Sequence, residues 1–224
     1  MGSVDAALRL TSDTYDRIAD VYAARSADVS LTRRAYLDRF VAAVRRGGLV
    51  LDAGSGPGQL AALLAEQGLR PVALDSSVEM LRLARLRVPA VGGDLRRLPF
   101  AAASLDGVWS AASLLHVPRE DVPATLRGWR TVLRPGGVLG LSTAVGRDDQ
   151  QGWERVPYAA GGQSHDVPQR RWFVYHSAER LHALVADAGF DVLDSDVRES
   201  HRVWLQLVAR VRPQGPGKVD LTVM

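Results

Sequence analysis

The sequence contains no cysteine, and this absence excludes several classes of protein. Without cysteine there is no disulfide scaffold, no thiolate nucleophile and no zinc or iron–sulfur site with cysteine ligands. Long apolar runs are missing as well, and none approaches the roughly 18 residues that a membrane-spanning helix needs. The first 20 residues contain four aspartates and do not resemble a secretory signal, so we expect a soluble, cytoplasmic protein.

The chain also lacks a strong excess of charge of either sign. Its 28 basic and 25 acidic residues leave a net charge of +3 over 224 residues, which is a weak field for binding nucleic acid. Basic and acidic residues are interleaved, and short basic pairs such as Arg96-Arg97 and Arg170-Arg171 are predicted to form solvated surface. A small-molecule partner is therefore favoured over nucleic acid, and we expect a monomer or a homodimer.

The hydrophobic (46%) and charged (24%) fractions are those of a globular protein, and the length fits one α/β domain. Residues 1–46 predict an N-terminal helical cap, with Ile18 and Tyr22 at helical spacing. From residue 47 onwards, short apolar runs alternate with amphipathic helices, which is typical of a parallel sheet covered on both faces. Strands are predicted near 49–51, 71–75, 90–93, 105–112 and 137–144, and helices over 58–67, 77–87, 121–133 and 177–188.

The last third of the chain has a different pattern. Residues 146–175 show little periodicity, and a loop of this length inside a compact domain is typical of a lid or a binding segment. Its aromatic side chains predict an apolar cover over a substrate. They are Trp153, Tyr158, Trp172, Phe173 and Tyr175. The runs 190–197 and 202–211 predict an antiparallel pair that completes a core over 47–212, and 213–224 predicts a flexible tail.

The strongest local signal is a glycine-rich turn, Asp52-Ala53-Gly54-Ser55-Gly56-Pro57-Gly58, which follows an apolar strand and opens a helix. Glycines there allow a sharp turn and a close approach to a ligand. Gln59 stands where a dinucleotide fingerprint has its third glycine and a Walker loop has lysine. Asp52 suits a cationic ligand group better than a pyrophosphate. Asp75, ending the next strand, is placed like the acid that binds ribose in nucleotide folds.

These residues resemble motif I of the class I S-adenosylmethionine-dependent methyltransferases, which has the form Asp-x-Gly-x-Gly-x-Gly. The resemblance extends over about residues 45–145. It continues in Gly93-Asp94-Leu95, in the strand 104–110 and in Arg134-Pro135-Gly136-Gly137. It implies a Rossmann-like, seven-stranded, mostly parallel sheet with an antiparallel C-terminal strand. It also implies S-adenosylmethionine as the cofactor and S-adenosylhomocysteine as its product.

The same resemblance implies a set of cofactor-binding residues. Asp75 would bind the ribose, Asp94 and Leu95 the adenine, and Tyr15 and Tyr22 of the first helix would cover the methionine end. The full set is Tyr15, Tyr22, Asp52, Gly54, Gly56, Asp75, Ser76, Met80, Asp94, Leu95, Ser110 and Leu115. No metal site is predicted.

The chemistry implied by the resemblance is an in-line displacement that moves the sulfonium methyl group to an acceptor. Alignment of the reactants supplies much of the rate in such a reaction, and a base is needed only where the nucleophile carries a proton. His116, just after the fourth strand, and His165, beside Asp166 in the lid, are the candidate catalytic bases. The Asn-Pro-Pro-Tyr-like signature of enzymes that methylate nucleobases or glutamine amides is absent, because residues 110–113 read Ser-Ala-Ala-Ser.

Four functions stay open at this stage. The first is methyl transfer to the oxygen or nitrogen of a small molecule, as in secondary metabolism. The second is methylation of a macromolecule, either tRNA or protein, which would favour a larger basic face. The third is a methyltransferase fold repurposed as a cyclase or as a partner-binding subunit. The fourth, a nicotinamide-dependent dehydrogenase, is disfavoured by Gln59.

Overall fold

The computed structural model describes residues 2–26, 31–155 and 169–213. The N-terminal region is helical, as predicted, but forms two helices, α1 (Gly2–Arg25) and α2 (Leu31–Ala43). Tyr36, Leu37 and Phe40 are buried on one side of α2, at the spacing of successive helical turns. Helix α2 therefore packs on the sheet, whereas α1 contacts the edge at which the parallel strands end.

Nine strands occur in the described part of the chain, seven of them in one sheet. The strands are β1 (Leu49–Ala53), β2 (Arg70–Asp75), β3 (Ala90–Gly92), β4 (Leu105–Ala111), β5 (Leu133–Ala144), β6 (Gln151–Arg155), β7 (Arg170–Val174), β8 (Phe190–Glu199) and β9 (Val203–Val211). The seven-stranded sheet has the order β3-β2-β1-β4-β5-β9-β8. Its first five strands are parallel, and β9 pairs antiparallel with both β5 and β8. This arrangement confirms the predicted fold.

Helices connect the parallel strands. They are α3 (Gln59–Glu66), α4 (Val78–Ala84), α5 (Val122–Val132) and, before the antiparallel pair, α6 (Ala178–Asp187). A short 3₁₀ helix, Leu114–His116, follows β4. Because neighbouring residues of a strand point to opposite faces, Leu51 and Val108 belong to one hydrophobic cluster, and Val50 and Trp109 to another. The sheet is thus buried on both sides.

An ion-pair cluster at the amino-terminal end of the sheet joins three separate segments. Asp106, only 4% exposed, accepts hydrogen bonds from Arg45 at 2.6 Å and from the Leu49 amide at 2.7 Å. Arg134 lies 2.8 Å from the same carboxylate. These donors lower the pKa of Asp106 to about 2, against the opposing effect of burial.

Replacing Asp106 with alanine is expected to lower the free energy of unfolding by about 2 kcal/mol, because hydrogen bonds to a buried charge are lost while both arginines reach solvent. The contribution of Asp106 is complete above pH ~4 and is lost as the pH falls through its folded pKa. Urea unfolding measures the difference. The matched control is Asp149→Ala, which removes an exposed pair with Arg147 and should change little. Equal effects of the two substitutions would contradict the prediction.

The described parts of the segment 146–175 are more regular than the sequence predicts. Strands β6 and β7 form an antiparallel hairpin that pairs Gln151 with Val174 and Arg155 with Arg170. The backbone of β7 is fixed to α1 by two buried threonines. Thr14 donates to the carbonyl of Arg170 at 2.8 Å, and the Trp172 amide donates to Thr11 at 3.0 Å. Helix α1 and the hairpin therefore form one connected cover.

A search of the described ranges for a membrane-spanning element finds none, since no helix there combines the length and apolar character that crossing a bilayer requires. The predicted tail at 213–224 lies outside the described residues, apart from Pro213.

Candidate functional site

A cavity of about 670 Å³ lies at the carboxyl ends of the parallel strands. Strand β1 has β2 on one side and β4 on the other, so the strand order reverses there. Open α/β sheets bind ligands at this position. Helix α1 runs over the cavity and contributes Asp5, Thr11, Tyr15 and Tyr22 to its lining. The crevice that the glycine-rich turn predicts is open.

The glycines of the turn are required by the protein's own packing. Gly54 and Gly58 have φ angles of +77° and +80°, in the left-handed region. A Cβ on Gly54 would lie 2.3 Å from the Cβ of Ser113, and one on Gly58 would lie 3.1 Å from the Cα of Ala84. The sequence predicts that these glycines make room for a ligand. At these two positions they also make room for Ser113 and Ala84.

Asp75 organises the turn from the neighbouring strand. Its carboxylate accepts hydrogen bonds from the Gly56 amide at 2.8 Å and from the Ser77 amide at 2.9 Å. Burial raises the pKa of Asp75, although the amides partly oppose that shift. The backbone amides thus use part of the acceptor capacity of this carboxylate, and Asp75 lines the cavity.

Asp52 is the most deeply buried acid of the cavity, at 1% exposed. Its Oδ2 has no hydrogen-bond partner among the described residues. Burial raises the pKa of Asp52 to about 7, and the negative charge of Asp75 adds to the effect. The Ala61 amide partly opposes this shift, but a buried carboxylate with one unpartnered oxygen is costly in its charged form. A cationic ligand group beside Oδ2 would relieve that cost.

The far end of the cavity is held together by Arg96. This guanidinium bonds to Asp94 at 2.8 Å, to Asp121 at 3.0 Å and to Asp5 of α1 at 3.2 Å. The prediction that Arg96 is solvated surface is wrong, because three carboxylates from different segments converge on it. Asp94 lines the cavity as predicted, but its oxygens already accept from Arg96.

Helix α1 is joined to the start of α4 by Asp16. Its carboxylate accepts from the Ser77 hydroxyl at 2.6 Å and from the Glu79 amide at 3.0 Å. Ser77 is the N-cap of α4, and its hydroxyl accepts from the Met80 amide at 3.1 Å. These contacts hold α1 over the glycine-rich turn, where the Tyr22 ring lies 3.7 Å from the position of a Cβ on Gly56.

His116 uses both ring nitrogens within the protein. Its Nε2 lies 2.9 Å from the Tyr15 hydroxyl, and its Nδ1 lies 2.6 Å from the carbonyl oxygen of Trp172. Arg171 donates to the same Tyr15 hydroxyl at 2.9 Å, so it is not the solvated surface residue that the sequence predicts. Burial lowers the pKa of His116 to about 4. The imidazole is therefore neutral near pH 7.

Most of the cofactor residues predicted from the sequence come together in the cavity. Those that line it are Tyr15, Tyr22, Asp52, Gly54, Gly56, Asp75, Ser76, Met80, Asp94 and Leu95, and His116 lines it as well. The two predicted residues that do not line it are Ser110 and Leu115. Ser110 is fully buried and bonds to the Ser113 hydroxyl at 2.6 Å, whereas Leu115 packs in a hydrophobic cluster with Phe173 and Tyr175.

The aromatic residues of the predicted lid do not reach the cavity where they are described. Trp153 and Trp172 pack edge to face on each other, with ring centroids 5.4 Å apart. Tyr175 is buried and bonds to Glu154 and Arg202. These rings stabilise the hairpin. The other two lid and catalytic candidates, Tyr158 and His165, lie outside the described residues.

Several cavity residues carry no recognisable signal in the sequence. Ser142 at the end of β5 and Trp204 at the start of β9 line the cavity near His116 and Ala112. Ser113 supports the glycine-rich turn by donating to the carbonyl of Ala53 at 2.7 Å. The position of Ser142 at a strand end is the one signal that sequence reasoning could have used.

Comparisons with known proteins assign the family. A family model described as a methyltransferase domain matches residues 51–141. A malonyl-[acyl-carrier protein] O-methyltransferase of Pseudescherichia vulneris is 31% identical over 160 residues, which cover 69% of this chain and 59% of the relative. The methyltransferase GfsG of Streptomyces halstedii is 36% identical over 184 residues, which cover 77% of this chain and 60% of the relative. Residues 51–141 of this chain thus form a methyltransferase domain of the class I S-adenosylmethionine-dependent type.

The solved structures agree on the fold of this family. The 1,6-didemethyltoxoflavin-N1-methyltransferase of Burkholderia thailandensis, crystallised with 1,6-didemethyltoxoflavin and S-adenosylhomocysteine, matches with a TM-score of 0.73 at 22% identity. The match covers 95% of this chain and 92% of that protein. The chain spans about three fifths of the length of the two curated relatives described above.

The cofactor of the family is S-adenosylmethionine, and the cavity fits it. The unpartnered Oδ2 of Asp52 is the acceptor that an ammonium group requires. Asp75 retains acceptor capacity for a diol. The carboxylates of Asp52 and Asp75 are also unsuited to a diphosphate, since charges of the same sign repel.

Proposed function

We propose that the protein transfers a methyl group from S-adenosylmethionine to the oxygen or nitrogen of a small molecule. The observation that carries this proposal is the buried carboxylate of Asp52, with one oxygen unpartnered, facing a cavity behind the glycine-rich turn. The family's relatives are named methyltransferases, and one of them acts on an acyl-carrier-protein malonyl group. We assign a small acceptor because α1 runs over the cavity, as a substrate lid would, and strand β7 of the hairpin holds α1 in place.

Each end of the cavity has a distinct role in this proposal. When bound, the cofactor supplies an electrophilic methyl group. Asp52 neutralises the cofactor's ammonium, and Asp75 binds its ribose while holding the Gly56 amide. Asp94 and Leu95 border the end of the cavity that receives the adenine, and Arg96 keeps that end closed against α1. Covering the cavity with α1 excludes water, which strengthens the charge interactions inside it.

Thermal unfolding in the presence of separate ligands tests the cofactor assignment. S-adenosylmethionine and S-adenosylhomocysteine at 100 times their dissociation constants should each add about 2.7 kcal/mol to the free energy of unfolding. NAD should add nothing. Stabilisation by NAD alone would show that the assignment is wrong.

A transfer screen then separates the remaining functions. The purified protein is incubated with S-adenosylmethionine and with phenols, carboxylic acids, amines or bulk tRNA, and S-adenosylhomocysteine is quantified. We expect turnover with one of the small-molecule classes. Turnover with tRNA alone would favour a macromolecular acceptor, and a product formed without S-adenosylhomocysteine would favour a repurposed fold.

Cofactor affinity is expected to rise with pH through the pKa of Asp52. Since the folded pKa is about 7, the carboxylate is largely neutral at pH 6 and largely ionised at pH 8. Binding of the cationic cofactor should therefore be roughly tenfold weaker at pH 6 than at pH 8. In the absence of ligand, the folding stability changes with pH in the opposite direction. Because the pKa of Asp52 is raised on folding, the free energy of unfolding falls as the pH rises from ~4 to 7. Titration calorimetry across this range measures the affinity.

The control for this pH dependence is Asp52→Asn, which keeps the size of the side chain and removes its ionisation. The variant should bind the cofactor weakly and with the same affinity at both pH values. A wild-type affinity that is flat between pH 6 and 8 would exclude Asp52 as the partner of the ammonium group.

A further inference from the structure

The direction of the hydrogen bonds around His116 follows from its partners. A carbonyl oxygen can only accept, so Nδ1 carries the proton that it shares with Trp172 at 2.6 Å. A neutral imidazole has one donor and one acceptor, which leaves Nε2 as the acceptor. The Tyr15 hydroxyl, 2.9 Å away, must therefore donate its proton to Nε2.

This direction decides what Tyr15 can offer to the cavity. Its only proton is committed to His116, and one lone pair of its oxygen accepts from Arg171 at 2.9 Å. The hydroxyl retains a second lone pair and no second proton. Since Tyr15 lines the cavity, any hydrogen bond that its oxygen makes to a ligand there is one that it accepts and does not donate.

The contacts of Tyr15 place its ring between the glycine-rich turn and the segment after β4. Its ring lies 5.7 Å from Tyr22, which covers the glycine-rich turn, and 5.6 Å from His116, which follows β4. Ser142 and Trp204 line the same cavity. The adenine end is marked by Asp5, ten residues earlier on α1 and thus roughly 15 Å away along the helix axis.

We propose that the Tyr15 oxygen, oriented by His116 and Arg171, accepts a hydrogen bond from the methyl acceptor and thereby selects acceptors whose nucleophilic atom carries a proton. This inference rests on the proposed methyl transfer and specifies its substrate class. A hydroxyl acceptor makes the bond, whereas a carboxylate places a second acceptor against the Tyr15 oxygen. The second lone pair of Tyr15 and the carboxylate oxygen would then face each other with no donor between them. Such a mismatch discriminates strongly between ligands.

The same geometry gives the acceptor's proton a path. As the acceptor oxygen forms its bond to the methyl carbon and the bond from that carbon to the sulfonium sulfur breaks, the acceptor's proton passes to Tyr15. Tyr15 passes its own proton to Nε2 of His116. One positive charge leaves the sulfur and one arrives on the imidazole, so the net charge of the cavity does not change. His116 returns its proton to solvent when the products leave.

Binding of a matched pair of compounds tests the selection. The pair is 2-naphthol and 2-naphthoate, which share a ring system and differ in the group offered to Tyr15. Calorimetry on the protein saturated with S-adenosylhomocysteine should give at least tenfold tighter binding of naphthol. In Tyr15→Phe that ratio should fall to about one. In His116→Phe the ratio should reverse, because the Tyr15 proton is then free to bond to the carboxylate.

The control variant is Tyr36→Phe, which removes a hydroxyl that donates to the Leu141 carbonyl away from the cavity and should keep the wild-type ratio. The inference is overturned if the wild-type protein binds naphthol no more tightly than naphthoate, or if it binds neither compound. It is also overturned if Tyr15→Phe keeps the wild-type preference for naphthol. Nitrogen-15 spectra of the His116 ring provide a test without any ligand. The inference requires the proton on Nδ1, and a proton on Nε2 would overturn the inference. If S-adenosylhomocysteine itself does not bind, the proposed function fails first, and the two failures are thereby distinguished.

Discussion

Gly54→Ala is expected to weaken cofactor binding at least 100-fold and to lower the free energy of unfolding by about 3 kcal/mol. The new Cβ would lie 2.3 Å from the Cβ of Ser113, and the backbone would have to keep a φ of +77°. Ser113 cannot move away freely, because its hydroxyl bonds to both Ala53 and Ser110. The glycine-rich turn must therefore shift. Calorimetry with S-adenosylhomocysteine and urea unfolding measure the two losses.

Two companion variants separate the steric contact from the backbone strain. Gly68→Ala has a similar φ of +83° and no atom within 4 Å of the new Cβ, so it should cost only about 1 kcal/mol and leave binding intact. The double variant Gly54→Ala/Ser113→Gly removes the clashing Cβ and should recover part of the binding. If Gly54→Ala lost no more affinity and stability than Gly68→Ala, the close contact with Ser113 would not contribute to cofactor binding.

Asp75→Ala is expected to weaken cofactor binding about 100-fold. The carboxylate is assigned to the ribose hydroxyls, and it also holds the amides of Gly56 and Ser77 in place. Charge-assisted hydrogen bonds of this kind contribute about 1.5–3 kcal/mol each, and losing one such bond to the ligand accounts for most of the effect. Calorimetric titration with S-adenosylmethionine and S-adenosylhomocysteine measures the loss for both ligands.

The matched control for this substitution is Asp20→Ala. Asp20 is an exposed acid of α1 that pairs with Arg82 of α4, close to the same segment but outside the cavity. Its removal should leave the affinity unchanged. Wild-type affinity in Asp75→Ala would remove the ribose assignment and leave Asp75 as a residue that only shapes the turn.

The sheet was predictable because its signals are local. The central parallel strands β1 and β4 are short buried runs, and the observed bounds of β2 and β4 differ by one residue from those predicted. The hairpin β6–β7 was not predictable in this way. Its strands are separated by residues 156–168, and β7 is fixed by Thr11 and Thr14 of α1. Such a strand needs no alternating pattern of its own.

The cofactor end of the site was equally accessible from the sequence. Asp52 and Asp75 lie in the last residues of β1 and β2, the glycines follow β1, and parallel strands bring their carboxyl ends to one edge of the sheet. The contacts of Arg96 and Arg171 were missed for the opposite reason. A charged pair of residues has the same local sequence whether it is solvated or surrounded by carboxylates from other segments.

The sequence by itself determined the family, the positions of the parallel strands and the acids at the ends of the first two, because each of these depends on residues close together in the chain. The tertiary structure alone decided how His116 is used. Its partner Tyr15 is 101 residues away, and Arg171 is 156 residues from Tyr15. The direction of a proton between such groups depends on which atoms meet in space, and no local pattern of residues encodes that.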